Sequence, residues 1–183
     1  HFTLFNGISS PKLIRLNADG SVDSSFSVGT GFDAIVYNVT LQSDGKILVG
    51  GSFANFNGNA RRRIVRLQPD GTLDTSFVIG SGFSNGTVRT ILVQPNGKIL
   101  IGGTFSGTYN GVGVKRMLRV QAHGVFDGSF LAILNGTLST MAMTSDEKVV
   151  IGGAFNSVSG TTKHRSARLL LCVDQTKRVA GAW

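Results

Sequence analysis

Two long motifs that return in fixed order, 25 glycines against 3 prolines, and the lack of any helical stripe predict an all-β chain. The units read as β-propeller-like blades of four antiparallel strands, in a ring that one chain leaves incomplete. The first motif is VTLQSDGKILVGGSF at 39–53, then ILVQPNGKILIGGTF at 91–105, then MAMTSDEKVVIGGAF at 141–155. The second is IRLNADGSVDSSF at 14–26, VRLQPDGTLDTSF at 65–77 and LRVQAHGVFDGSF at 118–130. A period of about 50 residues suits a unit that hides its faces only by stacking on its neighbours. A β-solenoid is the runner-up, although its coils usually repeat at shorter periods.

Within a period, Val39 and Leu41 alternate with polar neighbours, as in a half-buried first strand. Asp44-Gly45, Asn96-Gly97 and the degenerate Asp146-Glu147 predict a type I′ turn. The second strand, 46–50, is apolar enough to be buried on both faces. The glycine pairs at 50 and 51, 102 and 103, and 152 and 153 predict a bulge or the close approach of another backbone. A polar loop follows, then a third strand at 64–68, a turn at Asp70-Gly71, and a short fourth segment ending at Phe77. The last copy starts as ARLLL at 167–171 and then departs from the pattern at Cys172 and Val173, while FTLFNG at 2–7 aligns with FANFNG at 53–58.

The organisation expected is one repeat domain over 1–171 and a divergent tail over 172–183. The repeat domain divides into a half blade (1–34), two blades (35–86 and 87–136) and a partial blade (137–171). About three to three and a half blades are fewer than the four to eight that close a ring. Open edges of this kind invite pairing. Self-association is therefore expected, for instance as a dimer whose two chains make a six-bladed ring; a piece of a longer protein is the alternative.

With 41% hydrophobic residues the chain can bury a substantial core. No run approaches the roughly 18 apolar residues of a membrane span, and no leader opens the chain, whose first residue, His1, suggests trimming. The single cysteine, Cys172, rules out an internal disulfide framework and a cysteine zinc site, and reads as a small buried hydrophobe. A net charge of +8 favours anionic partners without choosing among them.

Catalytic groups are needed once per site, whereas the acidic residues here recur. Asp19, Asp44, Asp70 and Asp146 sit at turns and Asp23, Asp74 and Asp127 share one position, leaving only Asp33, Glu147 and Asp174 for acid–base work. His1, His123 and His164 lack ligand spacing, and no serine lies in a nucleophile elbow. The run Asn17 to Asp23 faintly resembles an oxygen-rich calcium loop, but its copies lose ligands, so a turn is the better reading. No catalytic residue, metal or cofactor is therefore predicted.

Arg15, Arg66 and Arg119 each precede Asp23, Asp74 and Asp127 by eight residues, and a hairpin at the intervening turn places each pair side by side. Arg168 has Thr176 in place of that aspartate. Lys12, Arg63, Arg116 and Arg165, with Arg61, Arg62, Lys115 and Lys163 nearby, would gather cations on one rim as a candidate anion-binding surface. A solvated charged loop is the plainer reading. Phe53, Phe105 and Phe155, with Phe26, Phe77 and Phe130, are better explained as core than as stacking platforms for nucleic acid.

The block at 45–77, with GKILVGGSF leading to RIVRLQPDGTLDTSF, resembles the delta-60 repeat of bacterial β-propeller proteins over about residues 2–171. The resemblance implies large, mostly secreted or surface-attached bacterial proteins with non-catalytic repeats. His123, Glu147 and the chain after Leu171 depart from the pattern. The function expected is a non-enzymatic binding or scaffolding module for a protein or glycan, outside the cell. An anion-binding protein for nucleic acid or acidic polysaccharide is the alternative, and a propeller enzyme comes third.

Overall fold

Alternating residues at 36–41 and an apolar run at 47–51 make the first hairpin of each unit, since one face of the first strand and both faces of the second meet protein. The structure, a computed structural model, describes residues 2–130 and 132–169. In chain order the strands are β1 (Leu4–Phe5), β2 (Ile8–Ser9), β3 (Val36–Leu41), β4 (Ile47–Gly51), β5 (Asn55–Phe56), β6 (Asn59–Ala60), β7 (Ile64–Leu67) and β8 (Val88–Val93). They continue as β9 (Ile99–Tyr109), β10 (Val112–Val120), β11 (Thr137–Met143), β12 (Val149–Ala154), β13 (Ser157–Val158), β14 (Thr161–Thr162) and β15 (Ser166–Leu169).

Three antiparallel sheets repeat one plan, β3-β4-β7, β8-β9-β10 and β11-β12-β15, with the second strand central. The fourth segment adds one bridge to its third strand, Leu73 to Leu67 and Phe126 to Val120, and in the N-terminal half-blade Val22 to Leu16. No helix occurs among the described residues. This is the β-propeller-like, incomplete array of blades that the repeat predicts. His1, Leu170, Leu171 and the tail 172–183, with Cys172, Asp174 and Thr176, lie outside the described residues.

Two local expectations are corrected. The turns at Asp44-Gly45 and Asn96-Gly97 are not type I′, because only the glycine has positive φ and Gln42 pairs with Lys46, as Gln94 does with Lys98. They are three-residue loops ending in a left-handed residue, the G1-bulge form. Asp44 and Asn96 serve them by accepting the N–H of Lys46 and Lys98. Glu147 holds the same position at φ +58°.

The true type I′ turns lie in the segments expected to be polar loops. Asn57-Gly58, Asn110-Gly111 and Ser159-Gly160 have positive φ at both residues and close two-residue hairpins. Each blade thus carries an arm, β5-β6, the outer part of β9-β10, or β13-β14.

The glycine pairs do both things expected of them. Val36/Asn38, Val88/Thr90 and Leu138/Thr140 bulge opposite the pairs. A Cβ on Gly51, Gly103 or Gly153 would lie 2.2, 1.9 or 2.1 Å from the carbonyl oxygen of Ile35, Thr87 or Thr137. On Gly50 or Gly102 it would lie 2.5 Å from Val88 or Leu138 of the next blade. Gly152 has no such neighbour: the nearest atom, at 3.1 Å, belongs to Thr140 of its own blade.

β3 packs against β8 and β8 against β11, so the core is a series of interblade layers. The half-blade covers part of the first blade, its Val28 and Phe32 packing with Ile47, Val49, Val65 and Leu67. It does not cover β3, where Val39 is 49% exposed against 5% and 9% for its copies Ile91 and Met141. At the other end Val150 is 39% exposed, whereas Leu48 and Leu100 are fully buried.

Candidate functional site

Among the described residues the repeated polar side chains assemble three hubs, one in the half-blade and one in each of the two whole blades. Arg15, Arg66 and Arg119 stand on the third strand, and the turn that follows returns the chain so that Asp23, Asp74 and Asp127 face them. Nε to Oδ2 distances are 2.8, 2.7 and 2.8 Å. Oδ1 of each aspartate accepts the N–H and hydroxyl of Ser25, Ser76 or Ser129. The same serine hydroxyl accepts a bond from the arginine. Each guanidinium also lies over a ring, Phe26, Phe77 or Phe130, at 4.9, 4.8 and 4.9 Å from the centroid.

The lysine just before the second strand joins the buried hubs, Lys46 at 3.3 Å from Asp74 and Lys98 at 2.9 Å from Asp127. Burial opposes ionisation of Asp74 most strongly, yet Ser76 and Arg66 overcome it and lower its pKa to about 2. Asp127 is likewise resisted by burial and held well below the usual carboxylate range by Ser129, Lys98 and Arg119. These carboxylates stay charged and acceptor-saturated, which suits an anchor rather than a proton shuttle.

The hubs also stitch blades together. Arg15 Nη1 donates to the carbonyl of Pro69 at 2.5 Å and Arg66 Nη1 to that of Ala122 at 2.6 Å. Beside them Ser27 N–H donates to Asp70 and Val78 N–H to His123. The departure at His123 is accommodated because this bond uses its main chain.

Sequence reading missed the serine and lysine members, although the D-x-S-F ending in every second motif and the lysine after every first-motif turn carried them. It also missed Asp33, Asn85 and Asn135 as staples, which accept arm N–H groups at Ala54 and Asn55, at Ser106, and at Asn156 and Ser157.

The candidate anion-binding residues divide. Lys12, Arg63, Arg116 and Arg165 all have left-handed backbones, with φ of 72°, 71°, 67° and 64°. Three of them turn their cations inward onto main-chain carbonyls: Lys12 to Phe32, Arg63 to Ser52 and Phe53, and Arg116 to Thr104. Those donors serve the blade, not a rim. Arg62, Lys115 and Arg165 are exposed; Arg61 and Lys163 are half-buried, and Arg61 donates to Ala60.

The calcium-like run is locally bonded. Asp19 accepts from Ser21, and Asn17 donates to the same serine. No group of three or more His, Cys, Asp or Glu side chains is placed to hold a metal among the described residues. No helix there is long and apolar enough to cross a membrane.

Open grooves lie at the arm bases. One of about 410 Å³ is lined by Asn135, Ala154, Phe155, Asn156, His164 and Arg165. Its counterpart, about 360 Å³, is lined by Thr30, Gly31, Phe32, Asp33, Asn55 and Gly58. Both are lined by amides and main chain over a buried ring, Phe155 in the first and Phe32 in the second, so they offer hydrogen-bonding groups rather than a stacking face.

A family model described as "Domain of unknown function (DUF5122) beta-propeller" matches residues 1–26, 42–77 and 94–130, more than half of the chain. No curated protein and no solved structure matches it.

Proposed function

We propose that this chain, which belongs to the DUF5122 β-propeller family, is a non-enzymatic binding or scaffolding module that meets a protein or glycan ligand with its hairpin arms. One observation carries this reading. The polar residues common to the blades are consumed by the fold, while the arms differ from blade to blade and border open grooves. Binding surfaces are commonly built this way, as variable connections on a rigid frame. The motifs read as delta-60 repeats, and that resemblance supports a bacterial protein working outside the cell or on its surface.

A glycan array tests the reading, probed with the wild-type chain and with a triple arm variant, Asn59→Asp, Val112→Asp and Thr161→Asp. These positions are exposed, so the variant should melt with the wild type yet lose its array signal. An array signal that the arm substitutions leave unchanged would refute the use of this surface.

A second reading, anion binding, is favoured by His164 and Arg165 in the larger groove with Arg62 and Lys115 exposed on neighbouring arms. It predicts that the logarithm of the binding constant for a sulfated oligosaccharide falls linearly with the logarithm of salt concentration. Nucleic acid has less support, because Phe53, Phe105 and Phe155 are buried and offer no stacking platform.

A further inference from the structure

The bulge opposite each glycine pair turns one residue out of its sheet. Tyr37 falls between Val36 and Asn38, Arg89 between Val88 and Thr90, and Ser139 between Leu138 and Thr140, where the pairing slips. A bulge leaves its extra residue unpaired and re-aims the side chain. All three residues are exposed, and Arg89 stands out between a buried valine and a buried threonine. Arg89 belongs to the middle blade, which is covered on both faces, so its exposure comes from the bulge and not from an end of the array.

The bulge recurs from blade to blade, but what it carries does not: a phenol, a guanidinium and a hydroxyl occupy the one position. First strands of successive blades pack together, β3 with β8 and β8 with β11. Across the first of these junctions Thr40 Oγ1 donates to the carbonyl of Ile91 at 3.2 Å. The bulged side chains therefore form a row that crosses from blade to blade. At the first junction they touch, with the Arg89 guanidinium carbon 5.3 Å from the centroid of the Tyr37 ring.

Arg89 differs from the arginines of the hubs and arm roots. Arg66 and Arg119 direct their donors to an aspartate and a serine, and Arg63 and Arg116 to main-chain carbonyls. Among the described residues the Arg89 guanidinium has no hydrogen-bond or ion-pair partner, and neither do the hydroxyls of Tyr37 and Ser139. A ring attracts the charge of a guanidinium without accepting its N–H groups, so Tyr37 seats Arg89 and leaves its fork free.

We infer that this row binds the carboxylate of a uronate sugar. Arg89 takes the carboxylate in its fork, and the Tyr37 and Ser139 hydroxyls on the neighbouring blades meet the sugar hydroxyls to either side. A planar carboxylate matches two parallel N–H groups of an arginine. A hydroxyl both donates and accepts, as does the sugar hydroxyl it faces. The net charge of +8 draws a polyanion toward the site. The inference rests on reading the chain as a glycan-binding module, but its surface is the row of first strands and not the arms.

Calorimetric titration with hexamers of galacturonate and of mannuronate tests this. The wild-type chain should bind at least one of them and not its methyl ester. Arg89→Ala and Tyr37→Ala should each weaken that binding about tenfold or more. Arg89→Lys should restore only part of it, because an ammonium supplies the charge without the fork. Both positions are exposed, so these variants should melt with the wild type. An arm variant of unchanged charge, Asn59→Ala with Val112→Ala and Thr161→Ala, should bind the hexamer as the wild type does. Failure to bind either hexamer, equal affinity for the ester, or an unmoved dissociation constant in Arg89→Ala overturns the inference. A hexamer lost in the arm variant and kept in Arg89→Ala removes this site while leaving the proposed function standing. Binding of a poly-glutamate peptide in place of both hexamers overturns the assignment to a sugar.

Discussion

The middle blade (β8-β9-β10) and the last blade (β11-β12-β15) are written in nearly the same motif, share register at the glycine pair, and differ chiefly in what lies against them. The middle blade is covered on both faces and its second strand is buried from Ile99 to Gly103. The last is covered on one, and the burial of β12 alternates until Val150 stands exposed. A repeat motif therefore specifies the shape of a blade, while position in the array decides how much each residue contributes to stability.

The largest contrast should come from the hubs. Asp127→Ala leaves Arg119 buried without its carboxylate and should cost about 3–5 kcal/mol in chemical denaturation, whereas Asp23→Ala, at a more exposed pair, should cost far less. Equal losses would mean that burial is not what matters.

The same hubs set an acid limit. Asp74 has a pKa of about 2 when folded against 3.8 for the free group, so its unfolded form binds protons first as pH falls. Its contribution is complete above the unfolded value and is lost as pH drops from about 4 to 2. Melting temperature should fall through that window in the wild type and more shallowly in Asp74→Asn.

Next in size is the second strand. Leu100→Ala should cost about 2–5 kcal/mol as a core truncation. Val150→Ala at the equivalent exposed site should stay within about 0.5 kcal/mol. The glycines sharpen this further. Gly102→Ala drives a methyl to 2.5 Å from Leu138 and should cost about 1–3 kcal/mol, while Gly152→Ala meets Thr140 at 3.1 Å and the Arg165 carbonyl at 3.9 Å and should cost less than its middle-blade counterpart. Opposite in sign, Glu147→Gly relieves a left-handed non-glycine residue and should stabilise the last blade by about 1 kcal/mol.

The arginine–aspartate pairs were legible because both partners sit in motifs at constant separation, and a hairpin leaves them little choice but to meet. Blade organisation was legible for the same reason. The turn type was not, because Asp-Gly suits a type I′ turn and an aspartate-anchored three-residue loop equally, and strand register decides between them. The arms were hidden because their ladders span only two residues a side at Asn55–Phe56 and Asn59–Ala60, too few to show alternation. The inward cations were illegible in principle. Nothing about an arginine announces positive φ, and a basic residue beside a loop reads as solvated until its carbonyl partners are seen.

The left-handed basic residue at the root of each arm has one more effect. Between Phe105 and Asn110 the middle copy has one residue more than between Phe53 and Asn57, a change that should turn every later side chain to the opposite face. It does not, because the pairing irregularity falls at Lys115/Met117, around Arg116, and the ladder beyond resumes with Met117 opposite Gly102 just as Ile64 lies opposite Gly50. The joint works like a slip coupling: arms can lengthen or shorten by odd steps during divergence while the sheet beneath keeps its phase.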